Sequence, residues 1–331
     1  MPKFASLFAC TFLFVAFIQA AEEPTVVKLE MDAAIFLDSV FSPDGKKVIT
    51  TVGSDTAQIW ETETGKELLK LPKRPANWRN YFFGNPCICL ANFSPDGKKV
   101  VLGNNDNTIR IFDAETGESL NLLKVPMRFD SSVAFSPDCK KIVVTTLSGA
   151  SDLALILDAE SGEVLKILES DKNGDENFAM SAIFSADGTK IVVGNYYNGT
   201  ALIFDAKTGE KLKKLEGHTG LLWYAVFSPD GKKVATTSGD HTVRIWDVES
   251  GKELQKLESD DFAKVAFSPD GKKIVAADCG KTALIWDTET GKKLQKLKGH
   301  ADWDKAAVFS SDGKKVITID EEATIRIWMV E

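Results

Sequence analysis

The heptamer FSPDGKK stands at residues 41–47, 93–99, 227–233 and 267–273. Near copies FSPDCKK, FSADGTK and FSSDGKK begin at Phe135, Phe184 and Phe309. The seven Phe positions are 52, 42, 49, 43, 40 and 42 residues apart. A unit repeated at this period cannot bury its apolar face alone, so the repeat decides the architecture. The heptamer reads as the end of one strand, a tight turn and the start of the next. Phe belongs to the core. Ser-Pro-Asp-Gly makes the turn, with Pro presetting its φ and Gly supplying the left-handed position. The Lys pair opens the following strand on a solvated surface. Cys139 takes one of the Gly positions, where a left-handed backbone costs a non-Gly residue about 1 kcal/mol.

Each copy continues alike, as in KVATTSGD (233–240), HTVRIWD (241–247), VESG (248–251) and KELQKL (252–257). Short β-branched and alternating runs between Pro-Asp-Gly and Thr-Gly or Ser-Gly turns predict antiparallel strands, four per repeat. They are termed a (ending at the Phe), b, c and d. No stretch sustains a helical period. The strand-c signature recurs as IWE at 59–61, IFD at 111–113 and 203–205, ILD at 156–158, IWD at 245–247 and 285–287, and IWM at 327–329.

With these motifs the chain resembles the WD-repeat family over nearly all of its length. The resemblance implies an all-β fold: a seven-bladed β-propeller of four-stranded antiparallel blades around a central channel. The seventh repeat stops at TIRIWMVE and lacks strand d. VVKLE at 26–30 matches LQKLE at 254–258, and Leu29 precedes Phe41 by 12 residues, as Leu215 precedes Phe227. The N-terminal strand is therefore expected to join the last blade and close the ring, which removes two exposed sheet edges. The outer d strands carry Lys, which discourages edge pairing. The family also implies a structural tetrad, matched by His218, Thr236, Asp240 and Trp246 in the fifth repeat. The seventh repeat offers His300, Thr318 and Trp328, with Glu322 in the Asp place. The tetrad is read as internal hydrogen-bond satisfaction rather than a catalytic relay.

Composition bounds the remainder. The chain has 331 residues, 44% hydrophobic and 27% charged, with a net charge of −8. That balance opposes nonspecific binding to nucleic acid or an anionic membrane, since both favour a basic excess. MPK followed by the uncharged run from Phe4 to Ile18 and then QAAEE reads as a signal peptide over 1–20, with the propeller domain over 21–331. The run is short for a membrane span, and an uncleaved anchor is the alternative. Export would remove Cys10 and leave Cys87, Cys89, Cys139 and Cys279, whose spacing is neither a zinc site nor a disulfide framework. No nucleotide loop, metal motif or nucleophile elbow occurs, so no cofactor, metal or catalytic residue is expected.

In up-and-down blades the a–b and c–d turns share one face, and the b–c and d–a loops share the other. The a–b interval is 7 residues in all seven copies, and the c–d interval is 11 in the six complete ones. The d–a interval instead varies: 22 from Leu71 to Phe93, 16 from Leu168 to Phe184, 10 from Leu257 to Phe267 and 12 elsewhere. Loops on rigid scaffolds carry specificity, so the variable face is the expected working face. Its aromatic and Arg residues, of the types that dominate binding hot spots, are Trp78, Arg79, Tyr81, Phe82, Tyr196, Tyr197, Trp223 and Trp303. The Lys pairs of the uniform face alternate with acids and read as a mixed solvated surface. The expected function is a non-catalytic scaffold for protein or peptide partners, exported and monomeric. The alternative is an enzyme or small-ligand receptor at the funnel mouth.

Overall fold

The computed structural model describes residues 24–29, 36–52, 56–71, 88–104, 107–125, 129–146, 152–170, 178–258, 262–278, 282–299, 304–320 and 322–330. Twenty-eight strands form seven four-stranded antiparallel sheets, and no helix occurs among the described residues. The blades, numbered along the chain, span 36–70, 88–124, 129–169, 179–215, 222–258, 262–298 and 304–329. The seventh is completed by the N-terminal strand Thr25–Lys28. The ring is a seven-bladed β-propeller.

Strands b and c are the nearly continuous apolar runs of each repeat because both of their faces are covered. In blade 5, strand b (Lys233–Ser238) and strand c (Thr242–Asp247) are buried at every position but one. Strand d (Glu253–Glu258) buries only Leu257 fully, which fits a polar outer edge. The core is divided into seven apolar clusters, each sandwiched between two neighbouring blades. Between blades 4 and 5, for example, Ile203 and Leu215 pack with Phe227, Val234 and Trp246. Leu29, Phe41, Val48 and Trp60 pack with Ile317, Ile325 and Ile327, so the last interface joins blade 7 to blade 1. Val26 pairs with Arg326 and Val27 with Ile325, and the Leu29 N–H donates to the Ala323 carbonyl at 3.1 Å.

The heptamer is the same device in every blade. Ser42 Oγ donates to Asp44 Oδ1 at 2.6 Å, and the Lys46 N–H donates to the same oxygen at 3.0 Å. Gly45 sits at φ +71° and gives its N–H to the Ser42 carbonyl at 2.8 Å. The Ser–Asp bond recurs at 2.6 Å in the other six turns. Cys139 keeps the turn with φ +57°, so the backbone bears the strain described above. These turns and the strand-c to strand-d turns hold one face uniform.

Strands a line the centre, and side chains cross-link them from blade to blade. Asn92 Nδ2 donates to the Val133 carbonyl at 3.1 Å, and the Ala225 N–H donates to Ser181 Oγ at 3.1 Å. Lys264 of blade 6 reaches past blade 7 to the Ser39 carbonyl of blade 1 at 3.2 Å. The corresponding residue of blade 7 is Ala306, which has no side-chain group to make such a link.

Candidate functional site

Three loops meet on the variable face between blades 4 and 5. The b–c turn of blade 4 carries Tyr196 and Tyr197. Segment 217–222 leads into strand a of blade 5, and Gly239 and Asp240 belong to the b–c turn of blade 5. Main-chain bonds clip them together. The Tyr196 N–H donates to the Phe178 carbonyl at 2.7 Å, the Leu222 N–H to the Tyr196 carbonyl at 2.9 Å and the Gly239 N–H to the Leu221 carbonyl at 2.8 Å. Two glycines permit the approach. A Cβ on Gly199 would lie 2.6 Å from the Gly220 carbonyl, and one on Gly220 would lie 2.5 Å from the Asp240 nitrogen.

Four aromatic rings cluster on this frame. Tyr196 meets Tyr197 at 5.0 Å and 75°, Trp223 at 5.2 Å and 67°, and Phe178 at 5.8 Å and 78°. Phe178 also lies 6.1 Å from Tyr197. Near-perpendicular contacts set the positive edge of one ring against the negative face of another, which fixes the geometry beyond simple burial. Tyr197 is 50% exposed, whereas Phe178, Tyr196 and Trp223 are half-buried. The cluster therefore presents one exposed aromatic ring, Tyr197, backed by Phe178 and Tyr196, with Trp223 packed behind Tyr196.

Beneath it lies a hydrogen-bonded chain in blade 5. Trp246 Nε1–H donates to Thr236 Oγ1 at 2.8 Å. Thr236 Oγ1 lies 2.7 Å from His218 Nε2, and His218 Nδ1 lies 2.9 Å from Asp240 Oδ2. One arrangement satisfies every group: the Thr hydroxyl donates to Nε2, and Nδ1–H donates to the carboxylate. Asp240 also accepts from the Thr242 hydroxyl at 2.6 Å and the Thr219 N–H at 3.1 Å. Arg244 reaches Asp240 at 3.5 Å and Glu253 at 2.6 Å. The His218 and Asp240 side chains are buried, so the chain is positioned to brace loop 217–222.

The charge state follows from burial. Desolvation pushes the His218 pKa below its ordinary value, against the pull of the Asp240 hydrogen bond and charge, so the ring is neutral at pH 7. Burial would raise the Asp240 pKa, but Thr242, His218 and the Thr219 N–H hold it at about 2. The unfolded His titrates at about 6.5 and the unfolded Asp at about 3.9. The contribution of a neutral His218 is thus present above pH ~6.5 and is lost as pH falls toward its lower folded value. The Asp240 contribution is present above about pH 4 and is lost toward pH 2. The unfolding free energy is expected to fall from pH 7 to pH 5, and His218→Gln to reduce that slope. Urea titrations at each pH measure it, and an unchanged slope contradicts the assignment.

Among the expected partner-binding residues, the structure brings Tyr196, Tyr197 and Trp223 together. Trp78, Arg79, Tyr81, Phe82 and Trp303 lie outside the described residues, as does His300. Phe178 was not anticipated; its signal was its place within the 16-residue d–a interval, just before strand a of blade 4 begins at Ala179. Blade 7 corrects one expectation. Glu322 is exposed, and the buried acid is Asp320. It accepts from Arg326 Nη1 at 3.1 Å, from the Thr324 N–H at 2.9 Å and from the Glu322 N–H at 3.1 Å. Trp328 Nε1–H still donates to Thr318 Oγ1 at 3.0 Å.

On the opposite face the described residues line a cleft of about 580 Å³ between blades 2 and 3 and one of about 210 Å³ between blades 7 and 1. Acids and lysines occur in both. Among the described residues no group of three or more His, Cys, Asp or Glu is placed to hold a metal ion.

A family model described as WD domain, G-beta repeat matches residues 80–113, 209–247 and 251–287. The chain is 25% identical to protein tipD of Dictyostelium discoideum over 66% of its own length and 33% of that protein's. It is 30% identical to the serine-threonine kinase receptor-associated protein of Gallus gallus over 65% of its own length and 67% of that protein's. It is 24% identical to actin-interacting protein 1 of Drosophila melanogaster, over 70% and 37% of the two chains. The chain thus spans a third of tipD and about two thirds of the Gallus protein. Matched repeats, a relative covered over two thirds of its length and seven closed blades agree: the chain belongs to the WD-repeat family.

Proposed function

We propose that this protein is a non-catalytic scaffold that acts outside the cytoplasm and binds protein or peptide partners through the face of its d–a and b–c loops. WD-repeat relatives are typically protein-interaction scaffolds, and two of those above are named for association with another protein. The carrying observation is the cluster of Phe178, Tyr196, Tyr197 and Trp223. A half-exposed Tyr held by two further rings, Phe178 and Tyr196, loses little side-chain freedom on binding, which is what a preorganised hot spot requires. Export rests on the apolar run from Phe4 to Ile18 behind Lys3.

The test is capture of partners from the exported fraction on immobilised protein. Tyr197→Ala with Trp223→Ala is expected to weaken capture by at least about tenfold. Tyr197→Ala alone should also weaken capture, with thermal unfolding within a few degrees of the parent, because Tyr197 is half-exposed. Capture at the parental level would exclude this cluster as the binding site.

A further inference from the structure

The outer edge of blade 2 differs from the other edges in a way that matters for association. In all seven outer strands the residue three before the buried Leu is apolar and exposed, Leu120 at 46% among them. The residue directly before that Leu is Lys in five of them: Lys28, Lys70, Lys214, Lys256 and Lys296. A Lys there keeps an open sheet edge from pairing with another chain. Blade 2 replaces it with Leu122, which is 50% exposed. Its strand d, Ser119–Lys124, lies at the outer end of its sheet, with no strand beyond it among the described residues.

The stretch ESLNLLK (118–124) is also complementary to itself when reversed. Laid antiparallel on a second copy about Asn121, it sets Leu120 against the partner's Leu122 and Glu118 against the partner's Lys124. A two-fold axis makes each pair occur twice. No other outer edge does this. EVLKILE (163–169) carries Ile167 in place of Lys, but it would set Glu163 against Glu169 and Lys166 against itself. EKLKKLE (210–216) opposes Glu210 and Glu216, and KKLQKLK (292–298) opposes Lys292 and Lys298. KELQKLE (252–258) matches its end charges but faces Leu254 with Lys256. KELLKLP (66–72) faces Leu68 with Lys70, and the N-terminal strand faces Val26 with Lys28.

The backbone direction agrees with this register. The Val125 N–H points inward to the Asn107 carbonyl, so by alternation the Leu122 and Lys124 N–H groups point outward. Asn121 Oδ1 accepts the Leu122 N–H at 2.8 Å, while Asn121 Nδ2 donates to the Glu160 carbonyl of blade 3 at 2.6 Å. Pairing exchanges the first contact for a carbonyl of the partner strand. The pairing shift opposite Leu120 recurs in strand d of the other five blades that supply their own, so it does not set blade 2 apart. Glu118 and Lys124 are exposed and available for the cross-strand pairs.

We propose that the outer strand Ser119–Lys124 of blade 2 is a two-fold pairing edge for a second copy of this chain, with Leu120 and Leu122 as its apolar contacts and Glu118 and Lys124 as its charge match. This edge is separate from the aromatic cluster and independent of its role. The monomer expected from the sequence then becomes the dissociated state.

Sedimentation equilibrium of the full chain from about 1 to 100 μM tests this. The parent is expected to show a monomer–dimer equilibrium. Leu122→Lys introduces the residue that five other edges carry, so folding should tolerate it; it is expected to raise the dissociation constant at least about tenfold, because each loss counts twice. Lys124→Glu should weaken the dimer by facing Glu118 with a like charge, and Glu118→Lys added to it should restore the dimer. Ile167→Lys in blade 3 should leave association unchanged. A parent that is monomeric throughout, a dimer indifferent to Leu122→Lys, a double charge swap that fails to restore it or a dimer lost to Ile167→Lys would each overturn the proposal.

Discussion

Asp320→Ala is expected to destabilise the protein by about 3–5 kcal/mol, because it takes the Asp320 carboxylate from the nearly buried Arg326 guanidinium and from the turn that it holds. Asp320 is 0% exposed, and the Arg326 side chain is only 12% exposed. The carboxylate does two jobs. Oδ1 holds the b–c turn of blade 7 through the Glu322 and Thr324 N–H groups, and Oδ2 holds Arg326. Alanine therefore removes the acceptor of two main-chain donors and a counter-charge of Arg326 at once. Glu322→Ala is the control and is expected to stay within about 0.5 kcal/mol, as for an exposed side chain. Urea denaturation of the two variants separates the readings, and a larger loss in Glu322→Ala would reverse the assignment.

The second large effect concerns ring closure. A chain lacking residues 24–30 should lose more stability than Leu29→Ala alone, which by cavity formation costs about 2–5 kcal/mol. The deletion also removes the four-residue ladder from Thr25–Ile327 to Lys28–Thr324 and opens the edge of strand c in blade 7. It uncovers part of the cluster in which Leu29 packs with Ile325 and Trp60, so the blade 7–blade 1 interface is weakened from both sides. A synthetic peptide of residues 24–30 supplied in trans should raise the melting temperature of the deleted chain. A deleted chain that melts with the parent would show that closure contributes little.

Much of the architecture was legible because the repeat states it seven times. The constant 7-residue and 11-residue intervals set strand register, the Gly positions set turn handedness and the match of Leu29 to Leu215 set closure. The departures were local. Asp320 was missed because alignment to Asp240 points to position 322, two residues on. The chain instead uses the place held by Ser238, whose hydroxyl accepts the Asp240 N–H at 3.2 Å, and a carboxylate there makes the same turn bond and reaches Arg326 as well. The aromatic face was legible as composition, not as a cluster. Sequence could place Tyr196, Tyr197 and Trp223 on one face, but only the loop bonds through Tyr196 and Leu222, and the approach allowed by Gly199 and Gly220, bring the rings within about 6 Å. Edge pairing was obscured because the d strands look alike until the residue before each buried Leu is compared.

The central claim is that one face works and the other is frame, and site-specific photocrosslinking tests it most directly. A photoreactive side chain placed at Tyr197 should give adducts with captured partner, and the same group at Lys232, on the turn of blade 5 on the opposite face, should give none. Adducts at 232 without adducts at 197 would contradict the account.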